Sequence, residues 1–339
     1  MTELVFHVGQ MKTGTTYLQN VLSNNKDFFQ KNGWLYPGGK ENHQYACYGI
    51  CGNDIPWVNP RIYGSYKSEG ERLIKKIDKF KDEYNILISS EALSSLSQDG
   101  IDRFIKATGK PDKVILTIRP LYQALPSAWQ QLLKSGINIS LEDFFRKLDS
   151  ERKGRKNWWR TYAYGDAVER WSKVCSVETI VLSPEAPFDL WNEFSTALDL
   201  PKGAKLDLAE SQKNVSLNME TAKLVRYIIK EGESALSEEG RNKEIKRIIN
   251  KYLNNFVRPL SGKTRGDTKV LPPRSCQKLI EQWAYEENRK AKRYSSRVFG
   301  EIDLLSSYSG EWNAEQNDDL EDSALKEFAY QIIEKYRKS

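Results

Sequence analysis

The chain has 339 residues, of which 39% are hydrophobic and 11% aromatic, with nine Trp and a formal net charge of +6. That apolar and aromatic content excludes a disordered chain, and the length suits one large α/β domain with helical additions or two smaller domains. The mild positive charge favours an anionic ligand or an acidic substrate and falls well short of a DNA-packaging protein.

Short β-branched apolar runs at residues 4–8, 85–89, 113–118 and 178–182 have the character of buried parallel strands. Helical patterns lie between them, at residues 15–23, 70–81 and 121–134. Strands alternating with helices predict an α/β fold with a central parallel β-sheet flanked by helices, and ligands at the loops that follow the strands. Beyond about residue 205 the strands are expected to stop. Residues 219–230, 243–256 and 276–294 read as helices, and 257–273 as a Pro/Gly-interrupted loop. An acidic stretch, 315–322, precedes an amphipathic helix with Leu325, Phe328, Ile332, Ile333 and Tyr336 on one face. The expected organisation is a domain over residues 1–300, with a core about 1–200 and a helical part about 205–300, followed by the acidic segment and last helix over 301–339.

No basic leader followed by a long apolar run opens the chain, and no stretch approaches the roughly 20 apolar residues of a membrane span. A cytoplasmic protein without stable membrane insertion is expected. The four cysteines, Cys47, Cys51, Cys175 and Cys276, are scattered, unlike a disulfide framework. His43, Cys47 and Cys51 recur at a helical spacing, but without a fourth ligand no metal site is expected.

The first strand leads straight into Gly9-Gln10-Met11-Lys12-Thr13-Gly14-Thr15-Thr16 and then a helix. A glycine-containing turn that opens a helix gathers backbone N–H groups and the positive end of the helix dipole around an anion. The spacing of Gly9, Gly14 and Thr16 is that of a Walker A loop, yet Thr15 stands where the nucleotide triphosphatases keep their lysine, and Lys12 sits inside the loop. No apolar strand ends in the aspartate that would hold Mg²⁺. The loop suits a terminal phosphate-like group with no obligatory metal.

This segment, His7 to Thr16, resembles the 5′-phosphosulfate loop of the sulfotransferases that use 3′-phosphoadenosine-5′-phosphosulfate (PAPS), in their bacterial and carbohydrate-type branch. The resemblance implies a P-loop-like three-layer fold. It also implies that Lys12 contacts the oxygen bridging phosphate and sulfate, and that Gly9, Thr13, Gly14, Thr15 and Thr16 hold the cofactor. The third strand ends Thr117-Ile118-Arg119-Pro120, and Ser127 follows in a helix. An Arg fork and a serine eight residues on can reach one anion from two sides, and they resemble the family's 3′-phosphate ligands. The Gly- and basic-rich loop Ser261-Gly-Lys263-Thr-Arg265-Gly266 is similar in character and place to the family's third cofactor loop, which adds Lys263 and Arg265. Weaker similarity extends over residues 3–300, through Tyr164 to Trp171, Asn214 to Leu217 and Asn288 to Tyr294.

Sulfuryl transfer needs an acceptor lined up opposite the leaving phosphate and a base to take its proton. Glu91 follows the second predicted strand at the sheet edge shared by the two anchors, and in the carbohydrate sulfotransferases a Glu near this point is the base. A role as helix-start acid for the turn after it is the plainer reading. His43 is a second candidate base and His7 a core residue. Trp129 is open to either the core or the acceptor. The basic stretch Arg152 to Arg160, with Trp158 and Trp159, can hold a sugar or anionic polymer, or serve as a solvated loop before core tryptophans. The reading is thus transfer from PAPS, with PAP as product and no metal, to a hydroxyl or amine of a small-molecule or glycan acceptor, a carbohydrate or glycolipid being what the resemblance to that branch and the surplus of Trp and Tyr favour, with no nucleic-acid partner. A P-loop nucleotide kinase or ATPase and a non-catalytic nucleotide-binding module are the rival readings.

Overall fold

The fold is seen in a computed structural model that describes all residues except 1, 39–41, 60–62, 155–156, 183–188, 202–205, 208–215, 237, 258–269, 307–311, 313–319 and 338–339. Six strands form one sheet: β1 (Leu4–His7), β2 (Trp34–Leu35), β3 (Asn85–Ser89), β4 (Lys113–Ile118), β5 (Ser176–Val181) and β6 (Arg297–Phe299). Their order is β2-β3-β1-β4-β5-β6, and every pairing is parallel. The α/β fold with a central parallel sheet is therefore as expected.

Helices cover both faces, which is why the inner strands are near-continuous apolar runs. Val5, Leu87, Ile115 and Ile180 share one core cluster with Leu18, Leu22, Phe29 and Phe194 from the helices Thr15–Asn24, Lys26–Lys31 and Leu190–Ala197. On the opposite face Phe6 meets Phe104 and Trp171 edge-on, with ring centroids 5.4 and 5.9 Å apart. Those rings come from the helices Gln98–Thr108 and Tyr164–Ser172. The result is three layers.

Two strands lie outside the sequence-based set. β2 has two residues and β6 three, both at sheet edges and too short to show a period. β6 corrects the expectation that strands stop beyond residue 205. The helices Thr15–Asn24 and Leu121–Lys134 fall as expected. The predicted helix 243–256 is an α-helix over Arg241–Tyr252 that continues as a single π turn, Leu253–Val257.

The chain groups into two compact units. The first comprises residues 1–124, 149–211 and 279–309 and holds the whole sheet. The second comprises 125–148, 212–278 and 310–339. In it the helices Met219–Ala235, Arg241–Tyr252 and Ser323–Arg337 pack together. Gly232 lets Ile245 approach closely, since a Cβ at that glycine would lie 2.9 Å from the Ile245 Cγ1. The last helix buries Ile332, Ile333 and Tyr336, whereas Phe328, expected on the same face, is 46% exposed.

Within the sheet, β1 has β3 on one side and β4 on the other, with His7 level with Ser89 and Ile115. The chain turns one way after β1 and the other way after β4. Such a switch leaves a crevice at the carboxyl ends of the two strands, the usual ligand position in open α/β sheets. The loop from Gly9 to Thr16 follows β1 and Arg119 follows β4, while Glu91 follows the end of the neighbouring β3.

Candidate functional site

The loop after β1 is held open by its backbone. Lys12 and Gly14 both adopt left-handed conformations, with φ of 69° and 76°. Alternation of this kind turns successive N–H groups toward one concavity, a backbone nest for an anion. Gly14 is the N-cap of the helix Thr15–Asn24, with no side-chain cap, so the first-turn amides face the same concavity. Gly9 is required for a different reason: a Cβ there would lie 1.9 Å from the Thr15 Cγ2. The loop is fastened to β4 by Gln10 N–H to Thr117 O (3.2 Å) and by a 2.8 Å bond between the Thr13 and Thr117 hydroxyls.

The threonines divide their work. The Thr13 hydroxyl donates to the Gln10 carbonyl at 2.5 Å and is fully buried, so it braces the loop, and only its amide remains to meet a ligand. The Thr15 hydroxyl donates to the Glu91 carboxylate. Thr16 is exposed in the first helical turn.

Glu91 lies two residues beyond β3 and opens the 3₁₀ turn Glu91–Ser95. It is not the cap of that turn: Ser90 is, its hydroxyl accepting from the Ala92 N–H at 3.2 Å. The carboxylate instead meets Thr15 and the charge of Lys12. Burial raises its pKa above the ordinary value, while the Thr15 hydrogen bond and Lys12 pull it back. Burial likewise lowers the pKa of Lys12, with Glu91 opposing that shift and Arg119 adding to it.

Arg119 leaves the end of β4 and donates through Nη1 to the Lys12 carbonyl (3.3 Å) and through Nε to Gln123 Oε1 (2.8 Å). It thus steadies the left-handed residue of the loop. Its pKa is lowered by burial. Gln123, missed by sequence reasoning, is one helical turn beyond Arg119 and sets the guanidinium plane; the i, i+4 spacing was its only sequence signal. Ser127 is a further turn along the helix Leu121–Lys134 and is half-buried. Lys263 and Arg265 lie outside the described residues, with the whole Ser261–Gly266 loop.

His43 does not stand free as a base. Its Nδ1 accepts from the Ser89 N–H (3.0 Å), and its Nε2 lies 2.5 Å from the Pro37 carbonyl, to which it donates. Both ring nitrogens are taken by backbone, and burial lowers its pKa to about 4. The residue ties the segment before the helix Gln44–Cys51 to the end of β3. His7, as expected, is a core residue, fully buried with Nδ1 2.8 Å from the Ser89 hydroxyl.

The cysteines beside His43 are buried, with thiols raised by burial to about 12 for Cys47 and about 11 for Cys51. Among the described residues no group of three or more His, Cys, Asp or Glu is arranged to hold a metal ion. Trp129 faces the core, its Nε1 donating to the Ile139 carbonyl at 2.8 Å. The basic stretch is partly spent on structure. Arg152 pairs with Glu286, Arg160 pairs with Asp54, and buried Trp159 packs edge-on against Trp283. No helix of the described residues is long and apolar enough to cross a membrane.

The arrangement brings a lysine, a carboxylate and a guanidinium to the mouth of one anion-binding loop. A phosphate or sulfate suits the chemistry of this arrangement: backbone amides of the turn and the helix start, with two cations beside them. Comparison with known proteins finds no family model and no curated protein that matches the chain.

Proposed function

We propose that this protein is a PAPS-dependent sulfotransferase, acting in the cytoplasm on a hydroxyl or amine of a small-molecule or glycan acceptor, with carbohydrate or glycolipid favoured. The observation that carries the reading is the meeting of Lys12, Glu91 and Arg119 around a loop that has Walker A spacing but keeps its lysine inside the turn. The residues present suit a phosphosulfate: amides of Thr13 to Thr16 for the 5′-phosphate, and the Arg119 guanidinium for the 3′-phosphate.

When bound, PAPS supplies an activated sulfuryl group on a good leaving phosphate. With that group in place, Lys12 would offset the negative charge that develops on the leaving phosphate. Glu91 would take the proton of the acceptor hydroxyl or amine as its oxygen or nitrogen bonds to sulfur, and the raised pKa would make it a stronger base than an exposed carboxylate. The Thr15 hydroxyl orients that carboxylate. Arg119 keeps Lys12 in its left-handed turn while it binds charge.

The test is calorimetric titration with PAP in EDTA, with ATP and Arg119→Ala as comparisons. Micromolar or tighter PAP binding, much weaker ATP binding and a large loss in Arg119→Ala are expected. Absence of PAP binding together with Mg²⁺-dependent ATP binding would instead support a nucleotide kinase.

A further inference from the structure

Along the helix Gln44–Cys51 lies a cleft of about 280 Å³ that no step above uses. Tyr45, Tyr48, Trp57 and Tyr66 line it, with the amides of Gln44 and Asn59. It is near the lower end of the roughly 300–1,000 Å³ of small-molecule sites, room for about one ring. Tyr45 and Trp57 are 43% and 36% exposed, high for large aromatic side chains. Their setting is ordered: Tyr45 stacks on Tyr66 with centroids 5.1 Å apart and planes 14° apart, and Tyr48 meets both edge-on.

Tyr48 connects this cleft to the reacting groups. Its hydroxyl accepts from Trp57 Nε1 at 2.7 Å and from the Gln44 amide. With two acceptor positions used, its own proton is left to donate elsewhere. The helix that carries it, Gln44–Cys51, packs on the turn Glu91–Ser95, and Tyr48 feels the Glu91 charge.

The second informative property is charge. Residues of Asp, Glu, Lys and Arg make up 29% of the chain, yet among the described residues none lines this cleft. A carboxylate or sulfate bound there would lose water without gaining a counter-ion. Two of the rings lie face to face on each other and so do not form a cage around a cation. Exposed ring faces beside amide groups suit a sugar, which presents apolar C–H faces and hydroxyls at its rim.

We propose that this cleft is the acceptor subsite and that it takes an electrically neutral sugar ring, whose hydroxyl it presents to Glu91. The proposal rests on the sulfotransferase reading for its chemistry and on the cleft alone for its ligand. Trp57 and Tyr45 are the platform. Tyr48 is a positioning residue that holds Trp57.

Saturation-transfer NMR tests it on the full chain with PAP added. The probes are the methyl glycosides of glucose, galactose and N-acetylglucosamine, with methyl glucuronide and tetramethylammonium as charged comparisons. At least one neutral glycoside should bind more strongly than both charged probes. Its affinity should fall about tenfold or more in Trp57→Ala and in Tyr45→Ala, while both variants keep the wild-type melting temperature and PAP affinity. Equal or stronger binding of a charged probe overturns the proposal. So does the absence of saturation transfer from every glycoside, or glycoside binding unchanged in both variants. Loss of PAP binding by the wild type with Trp57-dependent glycoside binding intact would sink the sulfotransferase reading and leave the cleft as a saccharide site.

Discussion

Replacing Gly9 by alanine should uncouple the anion loop from Glu91. The added Cβ would lie 1.9 Å from Thr15 Cγ2, where carbon atoms normally rest about 3.5–4.0 Å apart. It cannot slide away, because Thr117 Oγ1 and His7 Nε2 stand at 3.1 and 3.2 Å on its other sides. Thr15 must move instead, and a β-branched side chain in a helix has few rotamers to move to. Overpacking of this kind costs about 1–3 kcal/mol. The motion also takes the Thr15 hydroxyl from Glu91, removing the hydrogen bond that pulls its pKa down. Three readouts follow: a melting temperature lower by a few degrees, weaker PAP binding, and an activity–pH profile whose rising limb moves to higher pH. Gly64→Ala is the control, since nothing lies within 4 Å of a Cβ there and its φ is ordinary. A Gly9→Ala protein that melts, binds PAP and titrates like the wild type would refute the steric account of the loop.

Glu91→Gln should lower turnover by about 10²–10⁴ with PAP affinity changed little, read by steady-state rates beside calorimetry. In the wild type the acidic limb of the rate profile should lie above the usual carboxylate range and the alkaline limb below the usual lysine range, because burial raises Glu91 and lowers Lys12. His43→Ala should cost about 2–4 kcal/mol in denaturant unfolding, since the Ser89 N–H and Pro37 carbonyl lose their partner in the interior. The wild-type His43 is protonated more readily unfolded than folded, so its contribution should be present above about pH 6.5 and vanish as pH falls toward 4. Glu287 has the opposite sign. Burial and Asp166 raise it to about 7, so the folded state binds more protons than the unfolded one between about pH 4.5 and 7. Stability from this group therefore falls as pH rises through that window, and Glu287→Gln should flatten the slope in melts across it.

The strands that could be read from sequence are those with several consecutive residues covered on both faces. β3 and β4 fall within their predicted bounds, whereas β2 and β6 consist of two and three residues whose pairing is decided by neighbours distant in the chain. The loop was legible because Gly9, Lys12 and Gly14 carry a local geometry. His43 was not, since a histidine bound by two backbone groups and one aimed at a substrate share the same letters. The division of labour between Thr13 and Thr15 was likewise hidden, because it depends on Thr117 and Glu91, which the sheet register brings alongside. The aromatic cleft combines Tyr45 and Tyr48 on one helix with Trp57 and Tyr66 from the segments after it, and no sequence period links them.

Lys12 combines two properties that any mutational test has to separate. Its left-handed backbone is costly for any residue with a Cβ and most costly for a β-branched one. Lys12→Thr or Lys12→Val would therefore deform the loop as well as discharge it, and a lost activity would say nothing about charge. Lys12→Gly would relax the backbone and remove the ammonium together, so that gain and loss offset in a melting curve. A long unbranched neutral side chain keeps the same turn and much the same bulk, which makes Lys12→Met the substitution that isolates the charge. Among single changes at this position, tolerance should follow branching at Cβ when stability is measured and cationic charge when turnover is measured.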